Sequence, residues 1–360
     1  MKRTKRIAFL LLGLTVALSG CSVPAPARLG GRMFVENAGV DAAADGVVLS
    51  LNGFLPDLDD KNAFLTQPGA SISSAMEALA LRTGRHPYLA HNGALVIGRD
   101  AARSGIDGIL HFFSEYPECR GSVPLFVADA SAAAALDAIR SEPELDNRAL
   151  IDLVADDLHT GRTLYTPVYR AAAARASGRT DIAAPVLSVT KTGAAITGTA
   201  VFRGGRLALT LSPDETVGLQ LITGTAQYAL VDVAVREAQV AAIITVQKRV
   251  LTLTSSDGAP RFVLRLTCIA ALNEYSGGMP PTDDAFAAQL ADGCAQQLRA
   301  WITQCAGRLM RAALDPMGLT AQASRDPRWA AKAAADRSAF LRSASFQAEI
   351  DVHTVRGSKL

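Results

Sequence analysis

Three long strand-like runs, at 228–236, 241–254 and 261–275, are followed by one amphipathic stretch at 281–314, and this order most limits the folds open to the chain. Apolar residues alternate along the runs, as in half-buried strands, and "SSDGAP" at 255–260 supplies a turn between the last two. The 281–314 stretch has apolar residues at helical spacing, acidic residues at its start and arginines at its end, which suits a helix macrodipole. With a final strand at 346–357, the expectation is an antiparallel meander against one long helix, an α+β module.

The preceding segment, "AAITGTAVFRGGRLALTLS" (194–212), reads as a hairpin turning at Gly204-Gly205. Ser212, Pro213 and Glu215 then carry a capping box with proline at the first helical position. Beside that turn, Arg203, Arg206, Asp214 and Glu215 are expected to form an exposed charged rim suited to a partner. Earlier still, strands at 46–52, 94–98 and 123–128 alternate with helices at 71–84, 99–116, 131–142, 147–159 and 168–176, the second broken near Gly105. That alternation predicts a mixed sheet with helices packed on it. The stretch 177–185 is the expected boundary between an N-terminal region, 32–190, and a C-terminal one, 194–360.

The first residues are not part of this fold. Lys2, Arg3, Lys5 and Arg6 precede an apolar run from Ile7 to Leu18, then Ser19, Gly20 and Cys21, the three parts of an export signal. A spanning helix needs roughly 20 apolar residues, and this run is shorter. Residues 1–20 are read as a signal peptide and 21–31 as a tether rich in proline and glycine. With the leader removed, 32 basic side chains face 34 acidic ones, which argues against a polybasic membrane patch or a nucleic-acid partner.

Four cysteines remain, Cys119, Cys268, Cys294 and Cys305. The last two are eleven positions apart on the expected long helix, about 16 Å by helical rise, too far for a disulfide. All four are read as buried free thiols. His86, His91, His111, His159 and His353 are scattered, none with a second ligand at metal spacing. Asp156, Asp157 and His159 read as a solvated helix end, and His91 as a structural hydrogen-bonding residue. Asp57, Asp59 and Asp60 lack the glycine and terminal glutamate of a calcium loop. Phe202 and Phe340 read as core aromatics. No GxSxG, CxxC, HExxH, P-loop or GxGxxG pattern occurs, so neither metal nor cofactor is expected.

Leu18-Ser19-Gly20-Cys21 resembles a bacterial lipobox. Gly39-Val40-Asp41, His91 with "ALVIG" and Gly105, the stretch 198–224, and Asp315 with Gly318 follow in an order that resembles the Ger(x)C family, the lipoprotein C subunits of spore germinant receptors. Ser114-Glu115 departs from it where the family has a basic residue, which puts any partner contact at 111–120 in doubt. The resemblance implies lipidation at Cys21 and three α/β-type domains, with the N-terminal half as two. It implies partnership with a permease-like integral membrane subunit and a larger A-type subunit, at the outer face of the inner spore membrane, without catalysis. Two other classes stay open. A lipid-anchored solute-binding protein would need two doubly wound lobes, against the meander-plus-helix reading, and an envelope hydrolase would need a nucleophile and base that no motif supplies.

Overall fold

The computed structural model describes residues 31–56, 63–142, 149–155, 161–191 and 193–355. Cys21, the aspartates at 57, 59 and 60, and Asp156, Asp157 and His159 lie outside the described residues.

Nine strands form the first sheet: β1 (Arg32–Ala43), β2 (Gly46–Phe54), β3 (Ala63–Gly69), β4 (His86–Tyr88), β5 (Ala94–Ile97), β6 (Leu125–Ala128), β7 (Ala183–Thr190), β8 (Gly193–Arg203) and β9 (Arg206–Leu211). Their order is β3-β2-β1-β5-β6-β7-β8-β9, with β4 also paired to β1. The middle, β1-β5-β6-β7, is parallel, and antiparallel pairs flank it on both sides. Parallel strands are covered on both faces, which is why "ALVI" and "LFVA" are apolar throughout. One face carries α1 (Ile72–Thr83), α2 (Arg99–Ser104) and α3 (Asp107–Glu115); the other carries α4 (Ala132–Arg140) and α5 (Ala149–Ala155). A further helix, α6 (Val168–Ser177), joins the first face through Val168 and Ala171.

Local signals set the helix ends. Ser71 makes a reciprocal capping box with Ser74, and Gly84 closes α1 in the left-handed region at φ 70. Gly105, at φ 129, separates α2 from α3 where the sequence predicts a break. The first strand, β1, lies upstream of the 46–52 segment and was not legible as a strand; its bulge between Val35 and Asn37 breaks the alternation.

The hairpin β8–β9 follows the expected boundary yet completes this same sheet. It leads through α7 (Pro213–Thr223) to the second sheet, β10 (Tyr228–Val235), β11 (Ala238–Ser256), β12 (Ala259–Tyr275) and β13 (Ser345–Val355). Strands β10, β11 and β12 are the antiparallel meander expected from the sequence. The last strand differs: β13 runs parallel to β12, from Arg261 opposite Ser345 to Ala271 opposite Val355. The reason is the crossover. Helix α8 (Asp284–Arg311) and the short α9 (Leu319–Ala323), α10 (Ala330–Ala335) and α11 (Arg337–Ser343) return the chain to the end from which β12 began.

The core of this part is built on α8, which buries Leu290, Cys294, Leu298, Trp301, Cys305 and Leu309 among the sheet residues. Phe202 and Phe340 are core residues, as expected. All four described cysteines are free; Cys268, Cys294 and Cys305 are buried as expected, whereas Cys119 is only half-buried. Burial pushes the thiols up, to about 12 for Cys119, about 11 for Cys268 and about 12 for Cys294, with Cys305 raised as well. Neutral thiols in apolar surroundings behave as small hydrophobes. Among the described residues, no helix is long and apolar enough to cross a membrane.

Two positions allow direct tests. A Cβ on Gly218 would sit 2.5 Å from the Trp301 carbonyl oxygen, so glycine permits the approach of α7 to α8. Gly218→Ala should lower stability by about 1–3 kcal/mol in denaturant unfolding, although alanine is the better helix former. Asp283 caps α8 by accepting from Phe286 N–H, and bidentate hydrogen bonds from Arg236 hold its carboxyl down at about 2. A depressed folded pKa stabilises above the unfolded carboxylate pKa of about 4 and loses that contribution as pH falls toward 2. The Tm difference between the native protein and Asp283→Ala should therefore be full at pH 6 and shrink between pH 4 and pH 2.

Candidate functional site

The four charges named from the sequence lie around the β8–β9 hairpin. Its turn, Gly204-Gly205, has φ of 54 and 78, the paired left-handed geometry of a tight two-residue hairpin. The tip is docked: Gly205 O accepts from Ile106 N–H at 2.9 Å, and a Cβ on Gly205 would lie 2.3 Å from Asp107 Oδ1. Asp107 is held by Arg175 in a bidentate pair of 2.7 and 2.8 Å.

The charges then separate in role. Arg203 donates to the carbonyl of Ala312, the residue that ends α8, where a cation meets the negative end of the helix dipole. Asp214 pairs with Arg162 at 2.6 Å, and that guanidinium lies over the Trp301 ring. Arg206 is exposed and makes no ion pair or hydrogen bond through its side chain among the described residues. Glu215 is not on an exposed rim. It is 1% exposed, accepts from Ser212 N–H at 2.8 Å in the expected capping box, and pairs with Arg308 of α8. Arg308 also donates to Thr210 O at 3.1 Å, so one guanidinium joins β9, α7 and α8. The sequence identified Glu215 as a cap; its partner, 93 positions away, left no local signal.

The residues that carry the family resemblance have similar work. Asp41 reaches across the sheet to the start of α4, its carboxylate accepting from Ala132 and Ala133 N–H at 2.7 and 3.0 Å. A side chain at Gly39 would press on Leu136 and Ala132 of that helix at 3.0 and 3.1 Å. Asp315 is fully buried; its carboxylate accepts from Leu319 N–H, Thr320 N–H and the Thr320 hydroxyl at 2.8, 2.8 and 2.5 Å. Burial pushes the Asp315 carboxyl up, while these donors pull the other way. Gly318, at φ 74, shapes the same loop. Nearby, Asp181 receives both Arg337 amino groups at 3.1 and 2.9 Å and Asp315 N–H at 2.6 Å. The 177–185 stretch is thus fastened to the C-terminal helices rather than being a loose linker. His91 makes ring contacts, 5.6 Å from Phe34 and 5.9 Å from Tyr88, where a hydrogen bond was expected.

Among the described residues, no three His, Cys, Asp or Glu side chains converge to hold a metal ion. An apolar groove of about 640 Å³ lies between α1 and α3; the sequence reading missed it because its walls come from separate segments.

Comparison with known proteins decides the family. Residues 32–189 match the model for the spore germination protein N-terminal domain, and residues 197–356 match that for "Spore germination B3/ GerAC like, C-terminal". The chain belongs to the Ger(x)C family of spore germination proteins. No curated protein matches it. Its fold is similar to the crystal structure of the GerBC protein, with TM-score 0.61 and 16% identity over 89% of this chain and 97% of that one. The two family models meet at 189–197, within the nine-stranded sheet of this Ger(x)C protein, so the sheet is continuous across their border.

The rim charges of this Ger(x)C protein are separable by stability. Glu215→Ala should cost about 2 kcal/mol, and Glu215→Gln less, because glutamine retains the cap. Arg203→Glu should cost about 1 kcal/mol at the α8 terminus. Arg206→Glu should stay within about 0.5 kcal/mol of the native protein. Urea unfolding of the four variants checks this order.

Proposed function

We infer that this chain is the lipid-anchored C subunit of a spore germinant receptor, a non-catalytic partner of a permease-like integral membrane subunit and a larger A-type subunit. The observation that carries this reading is the match of both family models, in order, over nearly the whole described chain. Acyl chains on Cys21 hold the protein at the outer face of the inner spore membrane. The balance of 32 basic against 34 acidic side chains after the leader supports lipid, rather than surface charge, as the attachment. Within the rim, the unpaired Arg206 and the half-exposed Asp214 are the residues best placed to meet a partner, while Glu215 and Arg203 hold the fold.

The anchor is tested by Cys21→Ala in cells lacking the other two subunits. The variant should fractionate as soluble protein at low and at high salt, and spores carrying it should lose their nutrient response. Membrane retention of the variant under those conditions would overturn the lipid anchor.

A further inference from the structure

A cavity of about 500 Å³, distinct from the α1–α3 groove, lies between α6 and α7. Its residues up to Ala183 belong to the first family match, and those from Leu219 onward to the second. Both halves of the chain therefore build it. Small-molecule sites are commonly cavities of roughly 300–1,000 Å³ with apolar walls and a few placed polar groups, often at the border between folding units. The walls here fit that description, with Leu164, Ile182 and Leu219 joined by Ala171 and Ala174 of α6 and by Pro316.

Polar groups mark the two ends. At the mouth, Tyr165 is 43% exposed, yet its hydroxyl donates to Ser122 O at 2.5 Å. The ring is thus held in place while one face stays open. Arg170 stands beside it, reaching the Tyr165 carbonyl at 3.5 Å, and has no ion pair among the described residues. Asp181, the other charged residue on the wall, is already neutralised by Arg337. The open charge among the described lining residues is therefore positive. At the inner wall, Thr163 is 6% exposed and its hydroxyl has no hydrogen-bond partner. Thr166 makes the contrast, since its hydroxyl donates to Ala183 O at 2.7 Å. The Gln220 amide of α7 donates to the carbonyls of Gly161 and Thr163, which fixes the backbone at the unpaired hydroxyl. A buried hydroxyl left without a partner costs stability, and such groups are few in native proteins.

We propose that this cavity binds a small aromatic carboxylate, with its carboxylate on Arg170, its ring against Tyr165 and the apolar walls, and a ring hydroxyl on Thr163. Each part of the ligand answers one feature. Guanidinium–carboxylate hydrogen bonds are charge-assisted and can be bidentate. Aromatic rings pair offset or edge-on, and a tyrosine already fixed by its hydroxyl loses little freedom in doing so. An exposed arginine alone attracts any small anion; the walls and Thr163 supply the selection. A molecule seated here touches α6 and α7 together and so ties the two halves across their border. The assignment is independent of the lipid anchor and of the partner subunits.

The test is isothermal titration of the full chain, purified in mild detergent, with para-hydroxyphenylpropionate. Saturable binding at one site is expected. Phenylpropionate, which lacks the hydroxyl, should bind about fivefold more weakly. Tyramine, with an ammonium in place of the carboxylate, should give no saturable heat. Arg170→Gln should weaken binding about tenfold. Its Tm should not change, because the exposed Arg170 side chain holds only the long bond to Tyr165. Thr163→Val keeps the shape of the side chain and removes the unpaired hydroxyl, so Tm should hold or rise, and the two acids should then bind equally. Thr163 is buried, so that equality places the ligand inside the cavity and not on the surface around Arg170. Absence of saturable binding, equal binding of tyramine, indifference to Arg170→Gln, or a hydroxyl preference that survives Thr163→Val would each refute the proposal.

Discussion

An ion pair, Glu215 with Arg308, stands where the two sheets meet. Glu215 is buried at the start of α7, Arg308 projects from α8, and the strand between them, β9, belongs to the first sheet. A carboxylate inside a protein is costly unless it is both paired and hydrogen-bonded. Here it is paired by Arg308 and hydrogen-bonded by Ser212 N–H, and the Ser212 hydroxyl accepts in turn from Glu215 N–H. These contacts, both made to Glu215 Oε2, fix the hairpin, α7 and α8 in one arrangement. Gly218 then lets the two helices touch, and the Asp181–Arg337 pair fastens the other side of the junction. The border between the family models is consequently not a hinge of the sheet.

The residues by which the family is recognised are chiefly backbone devices. Asp41 caps a helix across the sheet, Asp315 caps another, and Gly39, Gly105, Gly205 and Gly318 provide close approaches or left-handed turns. They specify the scaffold. Contacts that distinguish one receptor from another belong to exposed side chains, which such motifs do not record. Arg206, at the rim, is exposed in this way.

What was legible in the sequence follows the range of the forces involved. Capping at Ser71 and Ser212, the break at Gly105, the Gly204-Gly205 turn and the meander depend on neighbours within a few positions, and periodicity reports them well. The parallel placing of β13, the Arg308 partner of Glu215 and the α1–α3 groove depend on elements far apart in the chain. Nothing local announces them. Exposure was misjudged at Glu215 for that reason: a charge beside a turn reads as solvated until a guanidinium 93 positions later neutralises it. The helices between 319 and 343 were missed because they are short and capped by loop residues such as Asp315 and Asp336.

The parallel pairing of β12 with β13 imposes an order in time. Arg265 pairs with Glu349, 84 positions later in the chain, so the arginine must wait for that stretch to be made. During synthesis the meander can form early, as each of its strands meets its predecessor across a tight turn. Its β12 edge, however, stays open until the chain through Val355 is available, and α8 has no complete surface to lie on before then. Closing such a long loop is slow compared with forming a hairpin. In that interval the nascent protein exposes a strand edge and the apolar side of α8 together, which makes this stage, rather than the finished fold, its most vulnerable to misassembly.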